Sequence, residues 1–226
     1  MGIQIAIDLK GYTKDNRAGI FALRCAPIQI SYLGYPGTTG ADYIDYIIAD
    51  KVVIPEGMED FYTENIIYLP NCYQVNDSRR YISEQSISRN DFGLPEDGFI
   101  FCCFNNSFKI LPSIFQTWMN ILNSVEGSVL WLIDDNPVAT LNLKKQASAR
   151  GVSEDRLIFA QRINLSVHLA RHRLADLFLD TLPYNAHTTT SDALWAGLPV
   201  LTCMGKSFAS RVAASLLNAI ELPELV

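Results

Sequence analysis

The second half of the chain repeats one pattern five times, a short apolar run followed by a stretch with helical spacing. FIFCCF (99–104) precedes PSIFQTWMNILNSV, SVLWLI (128–133) precedes LNLKKQASARG, and RLIFA (156–160) precedes LSVHLARHR. ADLFLD (175–180) precedes TTTSDALWAG, and PVLT (199–202) precedes SFASRVAASLLNAI. Unbroken apolar runs this short belong to strands covered on both faces, and a helix after each one is the unit of a parallel sheet. Five such units predict a doubly wound α/β layer. Pro112 suits the first turn of its helix, where a missing N–H costs nothing.

The first half is less regular. IQIAID (3–8), IQISYLG (28–34), YIDYIIAD (43–50) and NIIYLP (65–70) read as strands, with AGIFALR as a short helix. Residues 71–98 carry DSRR, SEQSISRND and LPEDG and read as a polar linker. The expected organisation is therefore two domains with parallel sheets, 1–85 as a partial N-terminal one and 86–226 as a second. With 226 residues, 49% of them hydrophobic, a substantial core is within reach.

Charge and cysteine usage narrow the partners. A formal net charge of −6 disfavours a nucleic-acid surface, which needs concentrated Lys and Arg. Cys25, Cys72, Cys102, Cys103 and Cys203 form no CxxC pair, and two of them lie in a strand, so they read as reduced core thiols. No apolar run reaches membrane-spanning length and no signal peptide opens the chain. The expectation is a cytoplasmic protein without membrane partners.

Parallel sheets bind ligands beyond the carboxyl ends of their strands. There the sequence places Asn105, Asn106 and Lys109, then Asp134 to Asn136, then Gln161 and Arg162. Tyr184, Asn185, His187, Thr188 and Thr189 follow the fourth strand, and Gly205, Lys206 and Ser207 the fifth. A threonine opening a helix turns its hydroxyl and the neighbouring N–H groups towards the positive end of the dipole, a seat for phosphate oxygens; a simple capping role is the other reading. Lys109 is either a solvated loop lysine or the cation of a two-sided diphosphate clamp. Asp192 stands about one turn inside that helix, placed for ribose hydroxyls or merely favourable near a helix start. Thr190 has no assigned partner and is left to face solvent.

Other patterns carry less. His168 and His172 stand at i, i+4, but no Glu joins them as in HExxH, so a metal is disfavoured. The GKS at 205–207 lacks the upstream glycine of a phosphate loop, since Val200 stands in its place. Gly34, Gly37 and Gly40 in LGYPGTTG mark a tight turn or a close approach of backbone to ligand.

DLKGYTKDNRAGIFALRCAPIQISYLGYPGTTGADYIDYIIAD, LPEDGFIFCCFNNSFKILPSIFQTWMNILNSVEGSVLWL, HRLADLFLDTLPYNAHTTTSDALWAGLPVLT and FASRVAASLL together resemble the catalytic region of O-linked N-acetylglucosamine transferases in their bacterial form. This is glycosyltransferase family 41, which includes SPINDLY-like members. The resemblance implies a GT-B fold of two Rossmann-like domains, the N-terminal one incomplete here. It also implies inverting, metal-independent transfer of N-acetylglucosamine from UDP-GlcNAc, the donor substrate, to protein Ser or Thr hydroxyls, with no cofactor. Lys109 in NNSFK matches the diphosphate-binding lysine. His187, Thr188 and Thr189 match the HTT phosphate element, Asp192 the ribose aspartate, and His168 the histidine beside the uracil. Arg171 lies on the same helix, and Leu33 and Gly34 match the loop facing the sugar. Asn106 stands where animal members carry glutamine, and Leu165 where they carry a lysine. The family also implies tetratricopeptide repeats and further N-terminal catalytic sequence, so the chain resembles a fragment. A non-catalytic UDP-sugar-binding module, or another UDP-sugar enzyme such as a 2-epimerase, are the alternatives.

Overall fold

The computed structural model describes residues 2–226. It divides into two compact units, one formed by residues 2–76 with 205–223 and the other by 77–204 with 224–226.

The first unit holds a four-stranded parallel sheet of β1 (Ile5–Asp8), β2 (Ile28–Ser31), β3 (Tyr46–Ala49) and β4 (Asn65–Tyr68), in the order β1-β2-β3-β4. Helix α1 (Ala18–Ala22) links the first two strands. The expected strand at 43–50 starts later, at Tyr46, because Asp45 turns its carboxylate onto the Gln29 N–H (2.7 Å) and the Arg24 guanidinium (3.0 Å). Asp50 closes the other end of β3. It is 1% exposed and accepts from the backbone N–H groups of Val52, Val53 and Tyr73.

The second unit contains β5 (Ile100–Cys103), β6 (Val129–Ile133), β7 (Leu157–Ala160), β8 (Leu177–Leu179) and β9 (Val200–Leu201). They pair in parallel in the order β7-β6-β5-β8-β9, so the direction of winding reverses beside β5. Helices α2 (Pro112–Ser124), α3 (Pro137–Ser148), α4 (Leu165–Arg171) and α5 (Thr188–Trp195) follow the first four strands. Pro112 does open α2, and Asn136 and Asn164 cap α3 and α4 through their side-chain oxygens. Every residue of β5 and β6 is buried, which explains why these runs read as unbroken apolar stretches. Trp118, Met119, Leu122, Leu130, Trp131 and Phe178 fill the core. The two parallel α/β sheets match the expected fold class.

The fifth unit of the sequence pattern divides differently from the expectation of 1–85 and 86–226. Its helix α6 (Val212–Ala219) packs within the first unit rather than beside β9. Ser215 Oγ donates to Asp50 at 2.6 Å and Phe208 meets the Tyr73 ring edge-on at 4.9 Å. The polar stretch of 71–98 likewise joins the second unit from Asp77 onward. Its residues Ser83 and Arg89 bond to the Ser166 carbonyl and the Asp176 carboxylate. All five cysteines are free, and burial pushes the Cys103 thiol up to about 12.

Candidate functional site

The reversal of winding leaves the β5 and β8 loops side by side at the carboxyl edge of the second sheet. The hub joining them is Asp180, which is 6% exposed. It accepts from the Thr181 N–H (2.7 Å), the Ala186 N–H (2.6 Å) and the Thr202 hydroxyl (2.6 Å). These bonds fold residues 180–186 into a tight loop and deliver the chain to the start of α5. Burial pushes the Asp180 carboxyl up to about 6, against the pull of those donors and of Lys109. Asn105, 2% exposed, bridges the two loops: its amide donates to the Thr181 hydroxyl (2.8 Å), and its oxygen accepts from the Thr189 hydroxyl (2.6 Å).

Lys109 reaches the same place from the β5 side. Its Nζ donates to the Asn185 carbonyl at 2.8 Å and lies 3.9 Å from the centre of the Tyr184 ring. Burial lowers its pKa to about 8, while Asp180 pulls the other way. Neither partner is an anion, so the ammonium is desolvated without full neutralisation and is disposed to meet a negative ligand.

Helix α5 starts at Thr188 with His187 as its N-cap, and the His187 side chain does not cap the helix. A helix leaves its first N–H groups unpaired, with partial positive charge. Thr189 is committed to Asn105, and Thr188 is exposed. Thr190, expected at the surface, is instead fully buried, and its hydroxyl donates to the Ala186 carbonyl at 3.1 Å. The triplet therefore faces three ways: one residue outward, one onto the β5 loop and one into the core.

Asp192 is 6% exposed on the next turn, and its Oδ1 pairs with the guanidinium of Arg80. Burial raises its pKa, while Arg80 counters that rise. His168 sits on α4 with its ring 5.2 Å from Phe104 and 4.8 Å from His172. Burial, with Arg171 beside it, lowers its pKa to about 3, so the imidazole is neutral at physiological pH. Arg171 is 1% exposed; it donates to the Gln161 carbonyl (2.8 Å) and lies over the Phe104 ring at 4.7 Å, in the packed layer beneath the edge. Asn106 is exposed and accepts from Arg162 at 3.1 Å.

Leu33 and Gly34 belong to the first unit, just past β2. Leu33 adopts a left-handed φ of 68°, and a Cβ on Gly34 would come within 2.0 Å of the Leu9 carbonyl oxygen. The backbone here admits only glycine. Glu64, 4% exposed, fixes the following GTTG loop by accepting from the Thr38 hydroxyl (2.6 Å) and the Thr39 N–H (2.6 Å).

The structure thus gathers Lys109, Thr188, Thr189 and Asp192 about one strand-to-helix passage, with His168 on the neighbouring α4. Sequence reasoning missed Asp180, which reads as the end of a strand, and Arg80, which lies in a polar stretch. Among the described residues, no cluster of three His, Cys, Asp or Glu side chains is arranged to hold a metal. No helix among them is long and apolar enough to cross a membrane.

Comparisons with known proteins show the family of the chain and its fold. The Glycosyl transferase family 41 model matches residues 1–87 and 82–226. The chain is 46% identical over 225 residues to the "Probable UDP-N-acetylglucosamine--peptide N-acetylglucosaminyltransferase SEC" of Arabidopsis thaliana, covering 97% of this chain and 23% of that protein. It is 33% identical over 232 residues to the SPINDLY protein of Eustoma exaltatum subsp. russellianum, whose name describes the same probable activity, covering 99% and 24%. A solved structure of a Thermobaculum terrenum O-GlcNAc transferase mutant aligns with a TM-score of 0.86 at 32% identity, covering 99% of this chain and 42% of that one. The chain spans about a quarter of the length of these two curated relatives.

Proposed function

From the membership of this chain in glycosyl transferase family 41, we propose that it binds UDP-N-acetylglucosamine and serves the transfer of N-acetylglucosamine to Ser or Thr hydroxyls of proteins. The names of its relatives describe UDP-N-acetylglucosamine-dependent transfer to peptides. The observation that carries the reading is the pairing of a half-buried ammonium, Lys109, with the N-terminus of α5 through the Asn185 carbonyl and the Asn105–Thr189 bond. In this reading the diphosphate lies between them, Asp192 takes the ribose hydroxyls, and the neutral His168 ring lies beside the uracil.

The chemistry follows from where charge moves. The acceptor hydroxyl, giving up its proton to solvent, attacks the anomeric carbon from the face opposite UDP and inverts it. As the carbon–oxygen bond to UDP breaks, its electron pair settles on the β-phosphate oxygen. Lys109 and the helix N–H groups are already in place to meet that growing charge, without a metal ion. A preorganised cation of this kind helps the transition state more than the bound substrate.

Calorimetric titration with UDP and transfer of radiolabel from UDP-GlcNAc to a peptide test the proposal. Binding with peptide labelling is expected. No UDP binding would overturn the reading, whereas binding without labelling would assign a nucleotide-sugar-binding module. UDP release without labelled peptide would point to a different UDP-sugar enzyme.

A further inference from the structure

Arg80 lies far from the strand ends in sequence, yet its side chain closes over the base of α5. Its guanidinium pairs with Asp192 Oδ1, donates to Ser191 Oγ at 3.3 Å and sits 5.5 Å from the centre of the Trp195 ring. The Trp195 indole N–H returns a bond to the Arg80 carbonyl at 3.2 Å. The two charged side chains are only 14% and 8% exposed. Arg80 is thus held by its own backbone, by a ring face and by a hydroxyl, all in addition to the carboxylate.

Such a clasp has two chemical effects on Asp192. A carboxylate taken from water favours its neutral form, which loses acceptor capacity; a fixed guanidinium beside it keeps the charge. A carboxylate also offers about four acceptor positions, so one bond through Oδ1 leaves Oδ2 and a lone pair for other donors. A vicinal diol supplies two donors with that spacing. Resting on the reading of Asp192 as the ribose contact, we propose that Arg80 is a positioning residue for the nucleotide: it keeps Asp192 ionised and turned so that its remaining oxygen accepts the ribose diol. The segment leading into the second unit, which reads as a linker in the sequence, is then part of the nucleotide site.

The test compares UDP with 2′,3′-dideoxyuridine diphosphate, titrated into the whole chain and its variants. The unaltered protein should prefer UDP by about tenfold, the range expected for hydrogen bonds to a charged acceptor. Arg80→Ala and Arg80→Gln should bring that preference below about threefold by weakening UDP alone, and Arg80→Lys should restore part of it. Equal weakening of both ligands would mark Arg80 as structural only and overturn the proposal. An Arg80→Ala protein that keeps the preference, while Asp192→Ala loses it, would overturn the role of Arg80 and leave the ribose contact intact. A preference that survives Asp192→Ala would overturn the ribose reading itself, and the role of Arg80 with it.

Discussion

At the scale of single residues, half-buried Lys109 and buried Glu64 show two uses of a charge drawn from water. Lys109 is desolvated beside a carbonyl and a ring face, with its pKa lowered to about 8. In the proposed reaction its value lies in meeting charge that develops late. Lys109→Ala should therefore lower turnover about a thousandfold while weakening UDP by about tenfold or less, read from kcat and from calorimetry. Equal losses in both would count against a leaving-group role. The lowered pKa adds a pH signature. As pH rises through 8 the free protein loses the ammonium, so UDP affinity should fall between pH 7 and 9, and binding should take up protons from buffer. Lys109→Arg, which stays charged, should bind with a flat profile over that range. Glu64 works in the opposite sense. Burial pushes its carboxyl up, but the donors of Thr38 and Thr39 outweigh this and hold its pKa below the ordinary glutamate value. A depressed carboxylate stabilises above its unfolded pKa, and that contribution is lost as pH falls through the folded one. Glu64→Gln should cost about 2 kcal/mol near neutral pH, and this difference should shrink as both proteins are acidified below about pH 4 in denaturant titrations.

At the scale of elements, α5 shows what a sequence can and cannot reveal. Its start at Thr188 is legible because three β-branched polar residues are poor material inside a helix and good material at its first turn. The strands of the second sheet are legible for a similar reason: full burial leaves apolar runs with no alternation. The fate of each hydroxyl is not legible, since Thr188, Thr189 and Thr190 look alike in sequence and only packing sends the last into the core. Arg80 is hidden in the same way. It stands 112 residues from Asp192, and a polar stretch gives no sign of which distant carboxylate it will meet. Asp180 reads as strand end because two of its donors are backbone N–H groups, which every sequence supplies, and the other two come from distant loops. Since α5 is held at its first turn by these bonds and by Asn105, its opening should be slow only when its free N–H groups also find a partner. UDP should protect amides of residues 184–196 from hydrogen exchange by about tenfold or more, and unchanged exchange there would remove the phosphate seat.

At the scale of the whole chain, the order of residues and the division into units part company near the C-terminus. The fifth strand-helix pair looks continuous in sequence, yet β9 belongs to the second unit and α6 to the first. The reason lies in the faces of α6. Val212, Ala213, Ala214, Ser215, Leu216 and Leu217 are all buried, and Ser215 completes the bonds of Asp50 at the end of β3. Fully burying one Val and two Leu side chains contributes about 5 to 8 kcal/mol, comparable with the net stability of a small domain. The first unit, with a four-stranded sheet and the short helix α1, therefore depends on residues that follow β9 in the chain. A chain ending at Met204 removes that helix, together with residues 224–226 of the second unit, and keeps β5 to β9 and α2 to α5. In this chain the first unit should lose cooperative unfolding, seen as a missing calorimetric transition and rapid exchange across β1 to β4. UDP protection of residues 184–196 should persist, because Lys109, Asn105, Asp180 and α5 all lie before the cut. If both units melted together in the shortened chain, the second could not be an independent nucleotide-binding body, and the boundaries at Asp77 and Met204 would not separate two thermodynamic units.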